Sequence, residues 1–215
     1  MQLDLTPEIL MQAYRLGVFP MAEDRDDPKL YWFDPVHRGI LPLDRFHLAR
    51  SLRRRIRAVP FELTLDRAFD QVIAGCAARK TTWINAEIRR LFVALHKMGY
   101  AHSVEVWEGD DLVGGVYGLA QGGAFCAESM FSRRSDASKI ALAYLITHLR
   151  RCGFVLFDTQ YLTDHLARLG AIEVPRAAYR AQLSQALGVV ADIHALPLPE
   201  AQDVVQFNTQ RSKRA

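Results

Sequence analysis

The sequence is poor in the features that mark exported, membrane-spanning or metal-holding proteins. Three cysteines, Cys76, Cys126 and Cys152, occur in 215 residues, and no two form a C-x-x-C pair. An odd number of scattered cysteines, each inside an apolar or helical run, reads as reduced thiols packed as small hydrophobes. No apolar run approaches the length of a bilayer span. The opening MQLDLTPEIL has neither a basic n-region nor an apolar h-region, so no export signal is expected in it. These absences predict a cytoplasmic protein with no membrane partner. The seven histidines (37, 47, 96, 102, 148, 165 and 194) show no ligand spacing, so no metal or other cofactor is expected. His148 and His165 read as structural. Repeats and low-complexity segments are missing too.

What is present suits a folded protein of one large domain, or a core domain with a small appendage. Half the residues are hydrophobic and 24% are charged. A net charge of +3 and a pI near 8.8 permit an anionic partner without demanding one. Thr6, Pro7 and Gly17 bracket a first helix, with Ile9, Leu10, Ala13 and Tyr14 at helical spacing. VFPMAEDRDDPKLYWFDP reads as an irregular connection. Helices are predicted over 44–57, 66–78 and from the Asn85 cap to near Gly99. Residues 102–131 then give three β-rich runs broken by Gly and Asp at hairpin distances. A helix opened by Ser135 or Asp136, the strand FVLFD, a short helix capped by Thr163, the strand IEVP and a helix over 176–187 complete the order. This alternation predicts an α/β (α+β) layered fold, with a frayed tail over 206–215.

Three groups of residues carry chemistry. Glu128 sits in FCAESMFS, a run that otherwise reads as buried strand. It is either a strand-end carboxylate paired or turned to solvent, or a group that holds an ammonium ion by charge-assisted hydrogen bonds. Asp158 and Gln160 in FDTQ have i,i+2 spacing, which on a strand puts both on one face. They are either a structural hydrogen-bonded pair or a pair that handles an attacking amine, Asp158 orienting the amide. The run ARSLRRRIRAV has five arginines and no acid. Arg50, Arg53, Arg54 and Arg57 share one broad helical face, a geometry that suits a phosphate backbone. Arg79, Lys80, Arg89 and Arg90 extend this patch less clearly.

The segments RLGVFPM, TTWINAEI, AHSVEVWEGDDLVGGVYGLAQGGAFCAESMFSRRSDASKIAL, DTQYLTDHLARLGA and VPRAAY together resemble the bacterial leucyl/phenylalanyl-tRNA–protein transferases, over roughly residues 6–185. The resemblance implies a small N-terminal domain (1–44) and a GCN5-related N-acyltransferase-like domain (45–205) with a mixed, largely antiparallel sheet flanked by helices. It implies transfer of Leu or Phe, and less of Met, from aminoacyl-tRNA to proteins beginning with Arg or Lys, by a monomer without ATP. Glu128 would lie in the amino-acid pocket, and Asp158 and Gln160 would form the amine relay. Val116, Phe125 and Met130 would line the apolar part, Val116 being shorter than the Met frequent there. Trp83 and Trp32 would lie near the aminoacyl-adenosine end, although either aromatic serves equally as a core cap. Thr163, where Asn is frequent, would touch the acceptor, and Arg50, Arg53, Arg54 and Arg57 the acceptor stem of tRNA. A CoA-dependent N-acetyltransferase of the same fold is the alternative enzyme, and a non-catalytic RNA-binding module a third reading. CoA users carry a glycine-rich R/Q-x-x-G-x-G/A loop, where this chain has RRSDAS, with Asp136 against the diphosphate position.

Overall fold

A computed structural model describes residues 5–58 and 61–207. The Thr6 side chain accepts a hydrogen bond from the Ile9 N–H and Pro7 takes the first position of α1 (Pro7–Arg15). Leu10, Met11 and Tyr14 form the buried stripe, whereas Ile9, expected on it, is exposed. Ile9 lies roughly 100° around the helix from Leu10 and so faces out. The expected irregular connection instead contains an antiparallel pair, β1 (Phe19–Met21) and β2 (Tyr31–Phe33), which forms a small sheet of its own. Then come β3 (His37–Ile40), α2 (Arg50–Ala58), β4 (Glu62–Leu65), α3 (Phe69–Ala77) and α4 (Ala86–Lys97), the last capped by Asn85 as predicted.

Two helix starts move inward from the sequence expectation. Residues 41–48 are not helical and turn at Leu43–Asp44: Leu41, Leu43, Phe46 and Leu48 are buried while Asp44, Arg45 and His47 are exposed. The backbone N–H of His47 is given to the Leu169 carbonyl rather than to a helical turn. Asp66 takes φ +61° and accepts the Ser103 N–H, so α3 begins only at Phe69. The meander forms as β5 (Ala101–Glu108), β6 (Asp111–Gln121) and β7 (Ala124–Ser132). It is followed by α5 (Ala137–Arg151), β8 (Leu156–Gln160), α6 (Asp164–Arg168), β9 (Ile172–Pro175) and α7 (Arg176–Leu187). A further helix, α8 (Ala201–Phe207), occupies a stretch where the pattern weakens, and takes up Gln206 and Phe207 from the expected tail. Residues 208–215 of that tail lie outside the described residues.

The main sheet has seven strands in the order β4-β5-β6-β7-β8-β3-β9. Every neighbouring pair is antiparallel except β7–β8. One face carries α5, whose Ile140, Leu145 and Leu149 bury against Val104, Val116 and Phe125. Each such side chain contributes about 1.5–3 kcal/mol by leaving water. The other face carries α1, α3 and α4, with Leu10, Phe69, Val72, Ile88 and Tyr117 in its core. Tyr179 and Leu183 of α7 close a smaller cluster over Ile40 and Leu156. The polar cluster that matters lies where β7 and β8 part.

Candidate active site at the parting of two strands

β7 and β8 pair from Ala124↔Leu156 to Cys126↔Asp158 and no further, so beyond that point the two strands diverge. On its other edge β7 follows β6 from Ser132 back to Ser129, then slips: Tyr117 faces Ser129 but Gly118 faces Ala127. Glu128 is the extra residue, a β-bulge that bends the strand and re-aims a side chain. The bulge is visible in the packing. Cys126 and Phe131 join the α1/α3/α4 core although they are five positions apart, which an unbroken strand would place on opposite faces.

Glu128 therefore points toward α1. Its Oε1 accepts hydrogen bonds from the Tyr14 hydroxyl at 2.7 Å and from Gln160 Nε2 at 2.9 Å, while its Oε2 is buried without a partner. Burial pushes the Glu128 carboxyl up to about 7, against the two hydrogen bonds that hold it down. Gln160 reaches it from a left-handed backbone, φ +63°, at the last position of β8. Its register partner on β3 is Gly39, where a Cβ would come within 2.6 Å of the Tyr161 carbonyl carbon. Glycine is thus required for the β8–α6 turn to fold over β3.

Asp158 is sealed at 0% exposure and held on all sides. Arg38 donates to it twice, from Nε at 2.9 Å and from an Nη at 2.6 Å. The Tyr179 hydroxyl gives a third bond at 2.7 Å and the backbone N–H of Gln160 a fourth at 2.8 Å. The sequence reading had Asp158 orienting the Gln160 amide. The structure assigns that contact to the Gln160 backbone, and the side-chain amide is turned to Glu128. The left-handed φ at Gln160 breaks the strand alternation on which the same-face reading depended. Arg38 was missed altogether. It is 2% exposed, lies 4.5 Å from the ring centres of both Phe19 and Tyr179, and gives a further bond to the Gly17 carbonyl. Burial opposes its charge, but the Asp158 hydrogen bonds and charge more than offset this, so the guanidinium is held firmly ionised. Burial and Asp158 likewise raise the Tyr179 hydroxyl.

This arrangement fits an amine-handling site built across a sheet opening, and sequence comparison decides its lineage. The family model of leucyl/phenylalanyl-tRNA protein transferases matches residues 40–184, and the model of their N-terminal domain matches residues 3–36. A leucyl/phenylalanyl-tRNA–protein transferase of Ruegeria pomeroyi is 56% identical over 210 residues, 98% of this chain and 100% of its own length. That of Roseobacter denitrificans is 58% identical over 208 residues, 97% of this chain and 99% of its own. The chain belongs to the leucyl/phenylalanyl-tRNA–protein transferase family. It is an enzyme, an aminoacyltransferase acting between charged tRNA and protein. The crystal structure of FemX superposes with a TM-score of 0.51 at 12% identity, over 80% of this chain and 68% of that one. At that identity the likeness speaks for the fold alone.

In this transferase the other predicted site residues fall into four groups. Val116 (2% exposed) and Phe125 (0%) are locked into the α5-side core, Phe125 stacked on Phe157; only Met130 of the apolar trio is half-buried. The centre of a sheet covered by α5 leaves Val116 and Phe125 as floor rather than wall. Trp83 packs against the opposite core, and Trp32 is exposed beside Tyr31 on β2. Thr163 caps α6 by accepting the Leu166 N–H, as its position predicted.

Arg50, Arg53, Arg54 and Arg57 line one groove of about 410 Å³ on α2. Among the described residues no carboxylate lies within ion-pair distance of them, and Arg53 Nε is buried without a partner. Three members of the suggested extension have partners of their own. Arg89 is spent on Asp70 and Arg90 on Glu87, while Arg79 turns to the Ser129 hydroxyl and the Met130 carbonyl. At the start of α5, Asp136 stands at the cap position with φ +63° and pairs with Lys139 at 2.8 Å. That turn presents a carboxylate where a CoA diphosphate would need backbone N–H groups alone.

Proposed function

We propose that the protein moves Leu or Phe, and Met less readily, from aminoacyl-tRNA to the N-terminal α-amine of proteins beginning with Arg or Lys, creating a degradation signal. The amine nitrogen attacks the ester carbonyl carbon, the amide bond forms, the bond to the terminal ribose oxygen breaks, and a proton ends on that oxygen. The ester is already activated, so the enzyme supplies proximity and charge placement rather than ATP. One observation carries this reading: Glu128 has one oxygen tied by Tyr14 and Gln160 and one oxygen buried with no partner. A carboxyl poised near neutrality suits a group that receives an ammonium or its proton and passes it on. With its amide nitrogen committed to Glu128, Gln160 offers its carbonyl oxygen to the attacking amine. Asp158 and Arg38 hold the backbone that positions Gln160. The groove on α2 is assigned to the tRNA acceptor stem. We take the enzyme to work as a monomer in the cytoplasm, where charged tRNA is made and used.

The test offers Leu-tRNA, Phe-tRNA or acetyl-CoA together with a peptide beginning with Arg, and reads the product by mass. Leucyl or phenylalanyl addition is expected. An acetyl adduct alone would defeat the proposal in favour of the CoA reading.

A further inference from the structure

Asp66 occupies the turn between β4 and α3 in its left-handed conformation. Its Oδ1 accepts the Ser103 N–H at 2.8 Å. The other oxygen, Oδ2, faces His102 Nδ1 at 2.7 Å and His194 Nε2 at 3.2 Å. The ligand-type atoms of the three residues all lie within 4.8 Å of one another. No sequence motif joins them, since they come from a turn, from β5 and from the segment between α7 and α8.

The second nitrogen of His102 decides what this cluster is for. His102 is 4% exposed, and its Nε2 lies 3.1 Å from the Gly99 carbonyl, which can only accept. Nε2 thus carries a hydrogen, which leaves Nδ1 as the ring atom turned to the carboxylate oxygen. At that distance the two atoms are joined either by a proton or as neighbouring ligands of one cation. A histidine that gives one ring N–H to a backbone carbonyl while its other nitrogen faces a carboxylate and a second imidazole has the outer-shell pattern of a metal ligand. Asp66 has the same character, one oxygen anchored by a backbone N–H and the other turned inward. The backbone N–H of His194 donates to Asp192 Oδ1 at 2.8 Å, and the His194 ring meets His102 edge to face. A cavity of about 280 Å³, lined by Gly99, His102, Asp192 and His194 among others, opens beside the three and has room for water ligands. His96 is not a fourth ligand: its Nδ1 serves the Ala101 carbonyl and lies 3.9 Å from the Asp66 oxygen already in use.

We propose that Asp66, His102 and His194 form a binding site for a divalent transition cation, Zn²⁺, with water completing a tetrahedral set. Two imidazole nitrogens and one carboxylate oxygen suit zinc and disfavour Mg²⁺ and Ca²⁺, which take oxygen shells. The role is structural and independent of the transferase reading. The ion fastens the segment between α7 and α8 to the β4–β5 edge, and α8 packs against both α2 and α5. It therefore braces the helix that carries the arginine groove.

The experiment uses the untagged full chain, stripped with a chelator and titrated with Zn²⁺ by calorimetry. One ion per chain is expected, with Co²⁺ giving the visible absorption of a tetrahedral nitrogen–oxygen site. His194 is 55% exposed, so His194→Ala is expected to fold, as circular dichroism will verify, and to bind Zn²⁺ more than about tenfold more weakly. Zinc should raise the Tm of the native chain and leave that of the variant unmoved. No saturable binding, or equal binding by the variant, overturns the site and leaves a proton as what joins the three groups. Neither result bears on aminoacyl transfer.

Discussion

Glu128 holds a proton when folded that it would lose when unfolded. Its folded pKa is about 7 against an ordinary 4.5, so between those values the native state binds more protons than the unfolded chain. Stability therefore falls as pH rises through this window, by roughly 3 kcal/mol once pH exceeds 7. Glu128→Gln removes the ionisation while keeping an acceptor for Tyr14. It is expected to be stabilising at pH 8 and neutral near pH 4.5 in urea denaturation; a gain that ignores pH would sink this account. The same change should cut turnover by about 10²-fold or more, the usual worth of a positioned proton acceptor. Asp158 answers to different physics. Removing it strands the Arg38 charge inside the protein, so Asp158→Ala should cost about 3–5 kcal/mol in the same measurement. A loss below about 1 kcal/mol would show that water reaches the guanidinium.

Among the elements, the β8–α6 turn makes the sharpest demand. Gly39→Ala would set a methyl group 2.6 Å from the Tyr161 carbonyl carbon and 2.8 Å from the Leu162 nitrogen, both backbone. We expect a destabilisation of about 1–3 kcal/mol and a fall in turnover larger than any change in tRNA affinity, because Gln160 moves while α2 does not. Equal losses in rate and affinity, by kinetics and filter binding, would contradict this. Helices with local signals were legible in the sequence: the Thr6, Asn85 and Thr163 caps and the meander with its glycines all stand where the residues put them. Strands β3 and β4 were not, because four residues such as HRGI carry no periodicity and become a strand only by pairing with distant partners. Residues 44–48 fitted a helix in sequence, but in space Phe46 and Leu48 are buried on either side of exposed His47. At the site, Glu128, Asp158 and Gln160 were legible as odd polar residues in apolar runs. Arg38 was not, since a basic residue in a short polar stretch announces neither burial nor partner, and the Asp66–His102–His194 cluster is scattered along the chain. Val116 and Phe125 had the right composition for a pocket, and composition does not distinguish a pocket wall from a core.

For the whole molecule, a net charge of +3 is too small to steer tRNA by itself, so attraction must be local. Each phosphate contact releases counterions, and reversing both Arg53 and Arg54 to Glu should flatten the dependence of log affinity on log salt by roughly two. An unchanged slope would move the acceptor stem elsewhere. The sheet order has a consequence for biogenesis. β3 is made early but sits between β8 and β9, and its Arg38 pairs with an acid 120 residues downstream. A nascent chain leaving the ribosome thus has no neighbour for that strand until almost all of the protein has been synthesised. Under the proposed function the catalytic cluster closes late, and a translation product that stops short of β8 lacks it.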